Sequence, residues 1–251
     1  MAKELNEKTI AEAAKHLNNI QEGKTPILFK KDEGLIGEEY IEEKIVKNKD
    51  GKRILALIPP TDPRVLMQIA PFLDETLAQF DFKDRKDLCT AMTDTMYKYG
   101  GIGLSCNQVA LPYRMFVMGG HPEIEEGKLR YCFNPEVIDV SPETILMKEG
   151  CLTFPFLFLA IKRPKWVHVK YTDENGEEVD EYLHGMPARI WQHENEHMNG
   201  YVFTDLVSKL KLDTAKKAQK KAVKKIARKQ ALMNSRPCLL YTSPSPRDSD
   251  S

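Results

Sequence analysis

The sequence predicts an α+β fold. Three observations carry this expectation. Apolar residues recur at helical spacing from 64 to 98, short runs of period two fill 113–184, and helical spacing returns after 186. Helices and strands therefore occupy separate stretches instead of alternating. A chain of 251 residues can bury a core without disulfides. Basic and acidic residues balance at 37 each, so total charge excludes no partner and only its distribution informs.

The elements follow in order. Residues 1–50 are polar, with one short helical pattern near 8–20, and read as an extension without its own core. RILALI (53–58) fits a buried strand. Asp62 and Pro63 form a helix start, an N-cap followed by proline at the first helical position. A helix is expected from 64 to 80 on Leu66, Ile69, Ala70, Leu73 and Leu77. A second spans about 84–98 on Leu88, Ala91, Met92 and Met96, ended by Gly100, Gly101 and Gly103. MFVM, YCF, EVIDV, TILM, WVHVKY and VDEYLH are strand-type runs, and DENG (173–176) is a hairpin turn between the last two. Helices are expected again at 186–198 and 213–232, the latter with Ala215, Ala218, Ala222 and Ile226 as its apolar stripe. RPCLLYTSPSPRDSDS (236–251) reads as a translated cloning scar, with a genuine Ser/Pro tail as the alternative.

Five unpatterned cysteines (Cys89, Cys106, Cys132, Cys151 and Cys238) argue against a secreted disulfide framework. No apolar run reaches the roughly 18 residues of a membrane span. The N-terminus lacks a hydrophobic signal core, so a reducing cytoplasm is expected, with no membrane partner.

The chemistry begins at QHENEHMNG (192–200). His193 and His197, four apart on a helix, share one face and can reach one metal ion. Glu194 beside the first histidine can then carry a proton. A surface helix with two unrelated histidines is the bland alternative. A catalytic site needs a third protein ligand, and no glutamate follows Glu196, while Phe203 stands where the longer metzincin pattern has histidine. The third ligand must lie upstream, among His16, His121, His168, His184 and the cysteines. Cys151 in EGCLTFP (149–155) is the best placed, after a strand-type run. A lone cysteine there is more often a small buried hydrophobe, as Cys89, Cys106 and Cys132 are expected to be. GGIGLSCNQV (100–109) is a weak phosphate loop, but its glycines allow close backbone approach to a ligand and Gln108 adds an amide donor.

Together GIGLSCNQ (101–108), EGCLT (149–153) and HENEH (193–197), in this order, resemble peptide deformylase. The likeness runs from about Arg53 to Leu210 and includes NPE (134–136), RP (163–164) and the YTDENG turn. It implies an α+β fold with mixed or antiparallel sheets around the HExxH helix. It implies removal of the N-formyl group from nascent polypeptides that begin with formyl-methionine. It makes Cys151, His193 and His197 the ligands of one divalent metal and Glu194 the acid/base. Gln108 and the Leu152 N–H would flank the oxyanion. Ile102, Gly103 and Ile190 fall at the methionine pocket, and Glu149 is counted with them as a substrate contact. Iron(II) is the implied metal, with zinc, nickel or cobalt as substitutes. Departures are Thr153 for serine, Ser105-Cys106 for two alanines, Glu196 for aspartate, and PFLFLAIK (155–162), which lacks the glycine often found after the proline. The resulting organisation is an extension at 1–50, a catalytic domain at 51–210, a basic amphipathic helix at 211–233 and an artefactual tail at 234–251.

Between Lys209 and Lys229 ten residues are Lys or Arg and one, Asp213, is acidic. This is either a solvated helix face or a contact for RNA, in which case the ribosome is the natural partner of an enzyme acting on nascent chains; no DNA partner is expected. Two rival functions remain at this level. One is a different HExxH metallohydrolase, a peptidase. The other is a non-catalytic relative that binds RNA or the ribosome through its lysines.

Overall fold

The structure, a computed structural model, describes residues 45–47 and 52–234, with side chains from 52 to 228. The expected helix near 8–20, His16, the rest of the 1–50 extension apart from 45–47, Cys238 and the segment 236–251 lie outside the described residues.

Strand β1 (Ile45–Lys47) pairs antiparallel with β2 (Arg53–Leu55). Ile54 and Leu55 are buried, as is Ile58 beyond the strand end. The Leu55 N–H donates to Thr95 Oγ1 at 2.9 Å, which ties β2 to helix α1 (Arg85–Lys98). Asp84 caps α1 through the Asp87 N–H, and Leu88, Ala91, Met92 and Met96 are buried as expected. At its other end the Gly101 N–H bonds Met96 O and the Gly100 N–H bonds Tyr97 O, with Gly100 at φ 70°. That paired closure requires a left-handed residue, which glycine supplies without steric cost.

The helix expected over 64–80 does not form. Asp62 does cap through the Arg64 N–H with Pro63 behind it, but the product is one short 3-10 turn, Pro63–Leu66. A second 3-10 stretch covers Asp74–Phe80. Pro71 between them lacks an N–H and disfavours helical conformation in the residue before it. The intervening backbone bonds across the fold instead, with the Ile69 N–H donating to Met198 O and Gln68 bridging Asn199. Leu66 and Leu73, counted as core positions, are exposed.

The central sheet is antiparallel, in the order β3 (Gly103–Ser105), β4 (Met115–Gly119), β5 (Leu129–Val140), β8 (Trp166–Thr172), β9 (Glu178–His184). Asp173–Gly176 makes the expected turn between β8 and β9. A second sheet is the hairpin of β6 (Thr144–Cys151) and β7 (Phe154–Pro164). β7 was not expected, although Leu157, Leu159 and Ile161 alternate inward along it. Helix α2 (Gly185–Met198) touches both sheets, meeting β3, β4, β8 and β9 on one side and β7 on the other. Trp191 anchors it, fully buried and 5.0 Å from the Phe116 ring and 5.3 Å from Tyr171.

Helix α3 (Lys209–Asn234) lies against β7. Its contact stripe matches the expected one in part, at Ala215 and half-buried Ala222. Leu212 and Ala215 pack on the cluster of Leu157, Leu159, Ile161 and Phe203, whereas Ala218 and Ile226 are exposed. The i, i+3, i+7 row of Leu212, Ala215 and Gln219 faces the sheet. No helix of the described residues is long and apolar enough to cross a membrane.

Candidate metal centre

The site forms where α2, β3 and the β6–β7 turn meet. His193 and His197 are buried one helical turn apart on α2, with ring centroids 5.2 Å apart. Cys151 ends β6, half-buried, at a register shift in the β6–β7 ladder. Its Sγ lies 3.3 Å from His197 Nε2. The donor atoms of Cys151, His193 and His197 all fall within 4.8 Å of one another, the grouping of this kind among the described residues. One thiol and two imidazoles at that separation fit a tetrahedral ion with one position left open. His121, His168 and His184 lie elsewhere: His121 Nδ1 accepts from the Glu123 N–H, His168 stacks on Tyr182 and His184 precedes α2.

The two imidazoles differ in their electrostatics. Burial and the neighbouring His193 hold the His197 ring well below the usual imidazole range, so it is neutral and able to ligate. Burial also opposes charge on His193, but its bonds to Cys151 and Glu149 outweigh this and raise its pKa.

Glu149 corrects an expectation. Its carboxylate does not line the cavity but is turned inward, 3.1 Å from His193 Nδ1, and accepts from Arg163 and Arg189. Burial resists its charge, yet the His193 and Arg163 hydrogen bonds hold it far below the usual carboxylate range. A carboxylate fixed in this way sets the orientation of a ligating imidazole and leaves Nε2 for the ion. Arg163, itself buried, also grips Glu196, so the acid that replaces the usual aspartate in HENEH closes the network. His197 Nδ1 has no such partner among the described residues.

Glu194 is buried beside the cluster, and desolvation raises its pKa. Its Oε2 accepts from Ser105 Oγ at 2.7 Å. Gly103 lies directly beneath: a Cβ there would fall 2.9 Å from both Glu194 Cδ and Ile190 Cγ2. Gln108 is fixed by its Oε1, which accepts from the Ser105 N–H at 2.8 Å. Its Nε2 therefore faces Thr153 Oγ1 at 3.0 Å and Cys151 Sγ at 3.4 Å. Ile102, Gly103 and Leu152 line an open cavity of about 910 Å³ together with Cys151, His193 and Glu194, while Ile190 is buried under Gly103 and does not reach it. Sequence reasoning missed Arg163, Arg189 and the Ser105–Glu194 bond. The alternation FLFLAIKR, ending on an inward arginine, was the available signal for the first.

A sequence model of the family described as polypeptide deformylase matches residues 63–213. The chain is 42% identical over 136 residues to the peptide deformylase of Thermotoga neapolitana, covering 51% of this chain and 80% of that one. It is 43% identical over 151 residues to that of Wolbachia pipientis wMel, covering 56% and 84%. Among solved structures it is similar to the peptide deformylase of Ehrlichia chaffeensis, with a TM-score of 0.59, 33% identity and coverage of 69% of this chain and 99% of that one. It is also similar to a peptide deformylase of Acinetobacter baumannii crystallised with Met-Ala-Ser, with a TM-score of 0.55, 29% identity and coverage of 61% and 98%.

Proposed function

The chain belongs to the polypeptide deformylase family of hydrolases, and from that premise we propose that Cys151, His193 and His197 hold one divalent metal ion beside Glu194 for the hydrolysis of N-formyl-methionyl peptides. The observation that carries this reading is the convergence of one thiol, two imidazoles and a buried carboxylate at the base of an open cavity. The ion, when bound, supplies Lewis-acid chemistry, making water acidic near neutral pH and polarising a carbonyl. The thiolate and imidazole donors suit iron(II), zinc, nickel or cobalt, and family resemblance favours iron(II) in the cell.

The chain's own residues do the rest. Ser105 holds Oε2 of Glu194, which leaves Oε1 to take a proton from the attacking water and return it to the departing amine. Burial of Glu194 brings its proton affinity closer to neutrality, where such transfers work best. The Gln108 amide and the Leu152 N–H are the donors for the developing oxyanion, each worth about 3 to 4 kcal/mol in the transition state. Ile102 and Gly103 border the site of the methionine side chain, and Ile190 packs beneath Gly103 without reaching that site. The relative crystallised with Met-Ala-Ser supports a peptide lying in the same cleft.

Two further assignments belong here. Cys89, Cys106 and Cys132 are buried free thiols, which suits a reducing cytoplasm. The lysines of α3 that face away from β7, among them Lys216, Lys217, Lys220, Lys221 and Lys224, form a basic surface for ribosomal RNA. Replacing these five by glutamine should weaken ribosome binding and flatten its salt dependence; unchanged binding refutes the contact.

The site assignment is tested by two variants with metal content measured after dialysis. Glu194→Ala should lose turnover and keep its metal, and Cys151→Ser should lose metal. A Glu194→Ala enzyme with normal activity, or a Cys151→Ser enzyme with full metal occupancy, overturns it.

A further inference from the structure

Phe156 has φ 64°, a left-handed conformation in which the Cβ of an L residue crowds the adjoining carbonyl. The other non-glycine residues with positive φ have local settings, with Glu125 and Glu126 in one tight 3-10 turn. Asp81 and Ala110 close 3-10 helices, and the Asn134 side chain bonds both backbone groups of Phe72. Phe156 lies in β7 where Pro155, Phe156 and Leu157 bulge out of the ladder between the Gly150–Phe158 and Cys151–Phe154 pairs, and that bulge accommodates its backbone without burying its side chain. The residue is 48% exposed, so burial does not hold it there. Conformations of this kind persist only where the surroundings impose them, and they gather at ligand clamps.

The surroundings here are specific. Phe154 packs edge-on against Phe203, and Leu157 is buried. Between them, the Pro155 carbonyl accepts from Gln219 Nε2 of α3 at 2.7 Å. The segment is thus fastened on both sides of Phe156 and through the peptide preceding it. The outcome is an apolar ring on the wall of the same cavity that holds Cys151, His193 and Glu194.

We infer that Phe156 is a specificity-determining contact for apolar side chains of the substrate beyond its first residue, and that Gln219 is a positioning residue that holds it there. This rests on the deformylase reading. With the formyl end at the Cys151–His193–His197 cluster, the rest of the peptide must leave through the cavity mouth. An exposed aromatic ring at that mouth removes an apolar side chain from water. The C-terminal helix is in this way joined to substrate selection as well as to the sheet it covers.

The test compares kcat and KM for formyl-methionine amide, which ends after the first residue, and formyl-Met-Leu-Phe. The variants are Phe156→Gly, Gln219→Ala and the double substitution. Phe156→Gly suits the backbone conformation and empties no core, so the fold should survive it. The expected result is a rise in KM for the tripeptide of about fivefold in each single variant, the scale of losing a partly exposed apolar contact. The amide and kcat should be unaffected, and the double variant no worse than Phe156→Gly. Equal changes on both substrates, no change, or multiplied effects in the double variant overturn the inference. Wild-type enzyme that releases formate from neither substrate rejects the deformylase reading itself.

Discussion

Replacing Gly103 by alanine adds one methyl group, and the structure states what it meets. The new carbon would sit 2.9 Å from Glu194 Cδ and from Ile190 Cγ2, and closer still to Glu194 Oε1. Ordinary contact begins near 3.4 Å, so the carboxylate must retreat by about half an ångström at Cδ and further at the oxygen. Gly103 does not have positive φ, so alanine brings no backbone strain and the clash acts alone. Retreat also loosens the 2.7 Å bond to Ser105. Displacement of a catalytic group by about 1 Å can cost roughly 100-fold in rate, so kcat should fall on the order of 10- to 100-fold. Overpacking should cost about 1 to 3 kcal/mol of stability. Formate release, metal content and thermal midpoint measured on one preparation separate these effects. A Gly103→Ala enzyme with its metal bound and kcat within twofold of wild type would refute the claim that Gly103 makes room for Glu194.

Other perturbations have equally direct readouts. Arg163→Met leaves buried Glu149 with Arg189 as its one remaining arginine and takes the same cation from half-buried Glu196, so urea unfolding should show a loss of about 3 kcal/mol; a loss below 1 kcal/mol contradicts the network. Asn107→Ala removes the donor shared by the Val65 and His197 carbonyls and should cost about 1 to 3 kcal/mol, read from the same curves. For pH, burial opposes the charge of Glu181, but Arg130 prevails and holds its pKa low. The stabilisation is therefore present above the unfolded value of about 4.3 and is lost as pH falls through the lower folded value. Glu181→Gln should flatten the acid limb of the urea midpoint below about pH 5; an unchanged limb argues that the pair adds nothing.

Much of this architecture is local and so could be read from the chain. The Asp62 cap, the glycines closing α1, the DENG turn and the two histidines one turn apart depend on spacings of a few residues. The helix expected at 64–80 failed because Pro71 interrupts it and α2 captures the freed backbone groups, a partner that sequence spacing does not reveal. β7 was missed because an aromatic-rich run carries a weak polar alternation, even though its buried leucines keep period two. Glu149 shows the same limit at the site. Its place beside Cys151 suggested substrate, but its role is set by Arg163, Arg189 and His193, which lie 14 to 44 residues away in sequence. The local motif identified the residue, and long-range packing turned its carboxylate away from the cavity.

The most direct measurement is product analysis with formyl-Met-Ala-Ser under anaerobic conditions in the presence of iron(II) or cobalt. Hydrolysis at the Cys151–His193–His197 centre predicts one formate released per free Met-Ala-Ser amine formed, with the peptide bonds intact. Cleavage between Met and Ala, or no formate with either metal, would contradict it.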